Sequence, residues 1–268
     1  MDLSDICQRA AQLAEQTARF LRQELGQVDA SQIEEKALNS LVSYVDKAAE
    51  AQLVEGLKAL TPGCSFLTEE ETVANTEGDL RWIVDPLDGT TNFLFQLPVF
   101  SISLALEHSG KIVLGIVYEA NQQECFYAWK GGGAHLNGQR IRVSQRSTLP
   151  QCLIATGFPY YNYEQTRAYL KALEHFMQNT RGLRRLGSAA VDLAYVACGR
   201  FDGFFEYSLQ PYDVAGGGII IQEAGGVVSD FSGGKDWLHG GEMAASNALI
   251  AEPFRSVIRE AFKSNGPS

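Results

Sequence analysis

Residues 82–93 read Trp82-Ile83-Val84-Asp85-Pro86-Leu87-Asp88-Gly89-Thr90-Thr91-Asn92-Phe93. An apolar strand runs into Asp85, Pro86 fixes the turn and removes a donor, and Asp88 follows three positions later. Gly89 and the two threonines then open a helix. Two carboxylates at the end of one strand converge on a point, and such a pair needs a proton or a cation between them. Hard oxygen donors suit Mg²⁺, and the free N–H groups at Gly89, Thr90 and Thr91 would face an anion. One short segment can thus hold a cation and a phosphate. Simple helix capping by Asp85 and Asp88 is the plainer alternative for a bare Asp-x-x-Asp-Gly. The full string, behind an apolar strand and ahead of an aromatic, is more specific.

Acidic groups in similar settings lie on either side. Glu69, Glu70 and Glu71 follow Phe66-Leu67. A run of glutamates is ordinarily a solvated face, but this one ends a strand just ahead of the Asp85 strand. Asp213 precedes an apolar helix and Asp46 opens another; for each, N-capping is the bland reading.

The surrounding pattern has two textures. Apolar residues at helical spacing mark residues 3–25 and 45–60 as helices, separated by a polar loop over residues 26–40. Short strands at 64–68 and 80–84 lead into hairpin-like segments at 100–107 and 111–118, then strands at 125–129 and 139–143 around Asn137-Gly138, a run of antiparallel sheet. After Pro150 strands and helices alternate: strand 152–156, helix 163–179, strand 182–186, helix 188–198, strand 203–206, helix 212–224, strands near Val227 and Leu249, and a last helix from Pro253. The expected class is α/β with an α+β N-terminal half. The division is 1–147, a metal-binding half with antiparallel sheet, and 148–268, an α/β half that completes the active site.

The 268 residues carry 22 Lys plus Arg against 32 Asp plus Glu, a net charge of −10, which disfavours nucleic acid as the main partner. No apolar run approaches the roughly 20 residues needed to span a bilayer, and Met1-Asp2-Leu3-Ser4-Asp5 is not a secretory leader. The five cysteines form no CxxC pair, so reduced thiols in a cytoplasm are expected. Neither Gly131-Gly132-Gly133 nor Gly233-Gly234-Lys235 completes a nucleotide-binding pattern. His108, His135, His175 and His239 all lie outside the acidic motifs.

Together these segments resemble the inositol monophosphatase family over almost the whole chain. The first motif is Trp82 to Phe93. The second is Tyr212 to Gly226 (YDVAGGGIIIQEAGG). Between them, residues 185–190 (RLGSAA) and 199–206 (GRFDGFFE) also match, as do Phe66 to Glu70 and Lys36 to Lys47 upstream. Tyr212 stands where the family usually has Trp, Thr68 where it has Gly, and Ser40 where many bacterial members have Asp. The resemblance implies a layered αβαβα sandwich of the inositol monophosphatase and fructose-1,6-bisphosphatase type, with Mg²⁺-dependent phosphomonoesterase activity on myo-inositol monophosphate or a similar polyol phosphate. It implies two to three Mg²⁺ per site: Glu69, Asp85 and the Leu87 carbonyl on the first, Asp85, Asp88 and Asp213 on the second, and Glu69 touching a third. It assigns Thr90, paired with Asp46, to the attacking water. The N–H groups of Gly89 and Thr90 go to the phosphate, and Ser188, Ala189 and Glu206 to the sugar alcohol, with Asp88 also counted among the substrate-binding residues. A homodimer and lithium sensitivity come with the same resemblance.

The chemistry agrees, because a metal-acidified water needs only aiming and a proton acceptor. Fructose 1,6-bisphosphate and 3′(2′),5′-bisphosphate nucleotides remain alternative substrates. An aspartyl-phosphate enzyme would need Asp-x-Asp, not this Asp-x-x-Asp. A non-enzymatic role as a partner of transcription or ribosome machinery, as in some bacterial relatives, is a third reading.

Overall fold

The computed structural model describes residues 1–37, 40–159 and 163–263. Helix α1 (Leu3–Glu24) starts at Asp2, whose side chain accepts from the backbone of Ser4 and Asp5. Its inward stripe of Ile6, Cys7, Ala10, Ala14, Ala18 and Leu21 follows three- and four-residue spacing. Strands β1 (Ile33–Ala37) and β2 (Ser40–Ser43) pair antiparallel where a loop was expected; Leu38 and Asn39 of that expected loop lie outside the described residues. Helix α2 (Tyr44–Leu60) opens on a capping box. Ser43 is the N-cap and Asp46, at the third helical position, accepts back from the Ser43 backbone.

Seven strands then form one sheet: β3 (Ser65–Thr68), β4 (Leu80–Asp88), β5 (Ser101–His108), β6 (Lys111–Glu119), β7 (Glu124–Trp129), β8 (Gly133–Leu136) and β9 (Gln139–Ile141), in chain order, with only β3 and β4 parallel. The short helix α3 (Thr90–Leu94) links β4 to β5. The β4 ladder does not stop at Asp85. It shifts register across Pro86 and Leu87 and resumes at Asp88 opposite Ser101, a bulge at the one residue that cannot donate to the ladder.

The second sheet has the order β11-β10-β12-β14-β13. Its members are β10 (Leu153–Thr156), β11 (Gly182–Arg184), β12 (Gly203–Tyr207), β13 (Gly226–Ser229) and β14 (Glu242–Asn247), interleaved with α4 (Thr166–Asn179), α5 (Ala189–Ala197), α6 (Pro211–Glu223) and α7 (Ala251–Lys263). Strand β14 lies before Leu249, where the expected strand was centred. Its buried Met243, Ala244, Ala245, Ser246 and Asn247 show no alternation to read, and Leu249 itself is exposed.

The layers run α1 and α2, seven-stranded sheet, α5 and α6, five-stranded sheet, α4 and α7. One apolar cluster joins Val117 and Phe126 of the first sheet to Leu193, Ile220 and Met243 beyond it. Helix α6 touches the first sheet almost backbone to backbone. A methyl on Gly115 would lie 2.5 Å from the Gly216 carbonyl oxygen, and one on Gly216 would lie 3.0 Å from the carbonyl oxygens of Leu104 and Ile116. Among the described residues no helix is long and apolar enough to cross a membrane.

Candidate active site

The bulge at the end of β4, the start of α3 and the N-termini of α5 and α6 meet around one cavity. Glu69, Asp85, Leu87, Asp88, Gly89, Thr90, Ser188, Ala189, Glu206 and Asp213 all line it. Of the site residues expected from the sequence, Asp46 alone does not line the cavity; it stands one layer behind, bonded to Thr90.

Asp85 is fully buried and its carboxyl accepts the Leu87 N–H at 3.0 Å, which closes the bulge. Burial first, then repulsion from Glu69, Asp88 and Asp213, pushes it well above the usual carboxylate range. Burial lifts the Asp88 carboxyl to about 6, although Ser188, the backbone of Ala190 and Ala189, and Arg185 pull it down. Ser188 Oγ donates to Asp88 Oδ2 at 2.6 Å and the Ala190 N–H donates to the same oxygen at 2.7 Å. Asp88 therefore occupies the positive end of α5, and the Ser188 hydroxyl faces it. Asp213 accepts the Gln210 N–H at 2.6 Å as the third residue of α6. Burial and the Asp88 charge raise it well above its ordinary value.

A second group stands opposite. Thr90 Oγ1 lies 3.0 Å from Asp46 Oδ1 and 3.0 Å from the Leu87 carbonyl oxygen. Asp46 Oδ2 accepts from the Ser43 N–H at 2.9 Å and the Ser43 hydroxyl at 2.8 Å. Burial raises the Asp46 carboxyl against these hydrogen bonds. The capping reading of Asp46 is thus correct and incomplete: Oδ2 serves the helix and Oδ1 serves Thr90. Gly89 sits at φ +97°, and a side chain there would meet the carbonyl oxygens of Val99 and Gly187 at 3.1 and 3.2 Å. Only glycine turns the chain there at low cost.

Four residues to which the motifs assigned no role complete the surroundings. Buried Glu50 accepts from the Glu70 N–H at 2.7 Å, the Thr72 N–H at 2.7 Å and the Thr72 hydroxyl at 2.8 Å, and so fixes the loop that carries Glu69. It lies four residues after Asp46 on the same face of α2, a spacing that could have flagged it. Asn92 Nδ2 donates to the Val99 and Leu186 carbonyls at 2.7 and 2.8 Å and ties α3 to the α5 approach. Asp192, fully buried on α5, lines the cavity with Oδ1 unpartnered among the described residues. Arg185 is the one basic side chain among the described lining residues; it sits over the Phe158 ring at 5.6 Å and lowers Asp88, Asp192 and Glu206.

The donor set fits a hard divalent cation: carboxylate oxygens and the Leu87 carbonyl, with carboxyls driven up first by burial and then by mutual repulsion that a cation would relieve. Among the described residues, no three His, Cys, Asp or Glu side chains are drawn together tightly enough to form a ready-made cage.

A layered αβαβα architecture with a carboxylate-lined cavity at the end of β4 and the N-termini of α5 and α6 defines a class of α/β proteins, and comparison with known proteins narrows it. The model of the inositol monophosphatase family matches residues 2–260. The chain is 42% identical over 250 residues to a protein named Putative Nus factor SuhB from Neisseria meningitidis serogroup B, covering 93% of this chain and 96% of that one. It is 41% identical over 250 residues to an Inositol-1-monophosphatase from Mesorhizobium japonicum, covering 93% and 94%. A solved Thermotoga maritima IMPase superposes with a TM-score of 0.88 at 36% identity, over 99% of this chain and 100% of that one. The chain belongs to the inositol monophosphatase family. The expected layered fold agrees with these structures.

Proposed function

We propose that the protein is a Mg²⁺-dependent phosphomonoesterase acting on myo-inositol monophosphate or a similar polyol phosphate. The carrying observation is the meeting of Glu69, Asp85, Asp88 and Asp213 with the Thr90–Asp46 pair around one cavity at the start of α3. Glu69, Asp85, the Leu87 carbonyl, Asp88 and Asp213 would hold two to three Mg²⁺. Mg²⁺ there would polarise the phosphoryl group and acidify water.

The chain's own residues supply the rest. The N–H groups of Gly89 and Thr90 orient the phosphate. Thr90 donates its proton to Asp46, which leaves a hydroxyl lone pair to accept from the attacking water. Asp46, raised by burial, is suited to take up the proton that the water releases. Ser188, Ala189 and Glu206 line the alcohol end, Ser188 and Ala189 beside Asp88. In this reading residues 1–147 contribute most of the cation site and residues 148–268 the alcohol end, in a cytoplasmic homodimer inhibited by lithium. Light scattering and a lithium inhibition series measure the last two properties.

The test is a phosphate-release assay on inositol 1-phosphate, fructose 1,6-bisphosphate and adenosine 3′,5′-bisphosphate, with Mg²⁺ and with a strong chelator. Turnover of inositol 1-phosphate that the chelator abolishes supports the reading; turnover of the nucleotide alone overturns it. The likeness to a relative named as a Nus factor supports a second, non-enzymatic role as a protein-binding partner. Asp88→Asn separates the two, because it should abolish hydrolysis and leave partner binding intact.

A further inference from the structure

Glu206 is 94% buried by its neighbours, with 6% of its surface exposed, and it lines the cavity. Among the described residues nothing hydrogen-bonds its carboxyl. With no hydrogen bond among the described residues, the carboxyl is placed by the charge of Arg185 and by shape, and the room it occupies is left by Gly157. A methyl built on Gly157 would lie 2.0 Å from Glu206 Oε2 and 2.2 Å from Oε1. The carboxyl therefore occupies the volume that any other residue at 157 would fill.

Gly157 is itself fixed. Thr156 pairs with Phe205 in the parallel register of β10 and β12, which sets Gly157 beside Glu206. The Tyr169 hydroxyl donates to the Gly157 carbonyl. Thr156 Oγ1 donates to the Phe205 carbonyl at 2.7 Å and lies 2.5 Å from the Tyr169 hydroxyl. Both side chains are 2% exposed, so these bonds form away from water, where leaving them unmade is expensive. The pair clamps the residue before Glu206 to the residue facing it.

We infer that Gly157, held by the Thr156–Tyr169 hydroxyl pair, is the positioning residue that keeps the Glu206 carboxyl open to the cavity and so sets the preference for hydroxyl-rich alcohols. This rests on the phosphomonoesterase reading above. Two carboxyl oxygens with no hydrogen-bond partner among the described residues favour a leaving alcohol that brings hydroxyl donors over one that brings none.

Gly157→Ala tests this with little risk to the fold, because the added methyl meets the end of a flexible side chain and not backbone. With Mg²⁺, KM for inositol 1-phosphate should rise about tenfold, the scale of one lost hydrogen bond to a charged group. Kinetics on p-nitrophenyl phosphate, whose alcohol has no further hydroxyl, should change less than about twofold. Shortening the acid restores room, so Gly157→Ala with Glu206→Asp should lose less than the two single changes combined. Tyr169→Phe should shift the same substrate ratio in the same direction, and it carries the test if the alanine variant fails to fold. Equal changes on both substrates, or additive effects in the double variant, overturn the inference and leave the phosphatase reading standing. A wild-type protein that hydrolyses neither ester with Mg²⁺ overturns both.

Discussion

The Thr90 hydroxyl lies 3.0 Å from Asp46 Oδ1, a bond between the first residue of α3 and the third residue of α2 across 44 positions of sequence. The same carboxylate fixes the entry of α2 through Ser43. A carboxylate that caps a helix and also bonds a hydroxyl of the cavity wall is held by the fold itself.

If that pair aims the water, Thr90→Val should lower kcat by about 10²–10⁴-fold, the range for a lost general acid–base contribution. The melting temperature should change little, since Asp46 keeps its Ser43 bonds. A drop in kcat with Mg²⁺ binding unchanged supports the role; an unchanged kcat sinks it.

Glu50 holds the loop of Glu69 through three short hydrogen bonds. Glu50→Ala removes three part-buried hydrogen bonds to a carboxylate and should destabilise the protein by about 1–3 kcal/mol. It should also weaken Mg²⁺ affinity, because Glu69 loses its anchor. Calorimetric titration with Mg²⁺ and a thermal melt read the two effects; intact Mg²⁺ affinity would contradict the anchoring role.

Asp192 carries an interior oxygen with no partner among the described residues, and burial, then Glu206 and Asp88, raise its carboxyl well above the usual range. Asp192→Asn removes a charge that the interior penalises and should stabilise the metal-free protein by about 1–2 kcal/mol, a rise of roughly 2–8 °C in melting temperature. A fall in melting temperature would mean that Asp192 supports the fold in a way its geometry does not reveal.

The carboxyl cluster also predicts a pH dependence. Asp88 is raised from an ordinary 3.8 to about 6, and Asp85 and Asp213 are raised well above their ordinary values. The native state holds these protons more tightly than the unfolded chain. Their contribution to stability is therefore complete below about 4 and is lost as pH rises through about 6 and beyond. Chelator-treated protein should melt at lower temperature as pH rises from 5 to 7.5. Mg²⁺ competes with those protons, so the gain in melting temperature from Mg²⁺ should widen over the same interval. A gain independent of pH would rule out cation binding by these acids.

The elements that were legible in the sequence carried their signal locally. The Asp85–Phe93 string, the hairpin at His108-Ser109-Gly110 and the α1 stripe each sit within one short window. What escaped depended on distant partners. Glu50 acts on a loop about 20 residues away and Asn92 on Leu186, 94 residues away; neither distance leaves a periodic trace. Strand β8 was missed between a glycine run and a turn, and β14 was displaced toward Leu249 because small buried residues look neither apolar nor alternating. The capping readings of Asp46 and Asp213 were sound as local chemistry, but a cap residue can face a cavity with its other oxygen.

The near-contact of α6 with β5 and β6 at Gly216 and Gly115 has a consequence for ion choice. Asp213 rides on α6 and Asp85 on the sheet, so the span between them is set by side chains that are missing. Gly216→Ala inserts a methyl 3.0 Å from two sheet carbonyls, and the helix must lift away. Mg²⁺ sits about 2.0–2.1 Å from its oxygens and Ca²⁺ about 2.3–2.6 Å. The lifted helix should lose affinity for the smaller ion faster than for the larger, so competition between Mg²⁺ and Ca²⁺ should tilt toward Ca²⁺. Gly216 on the helix and Gly115 on the sheet would then act together as a calibre for ionic radius.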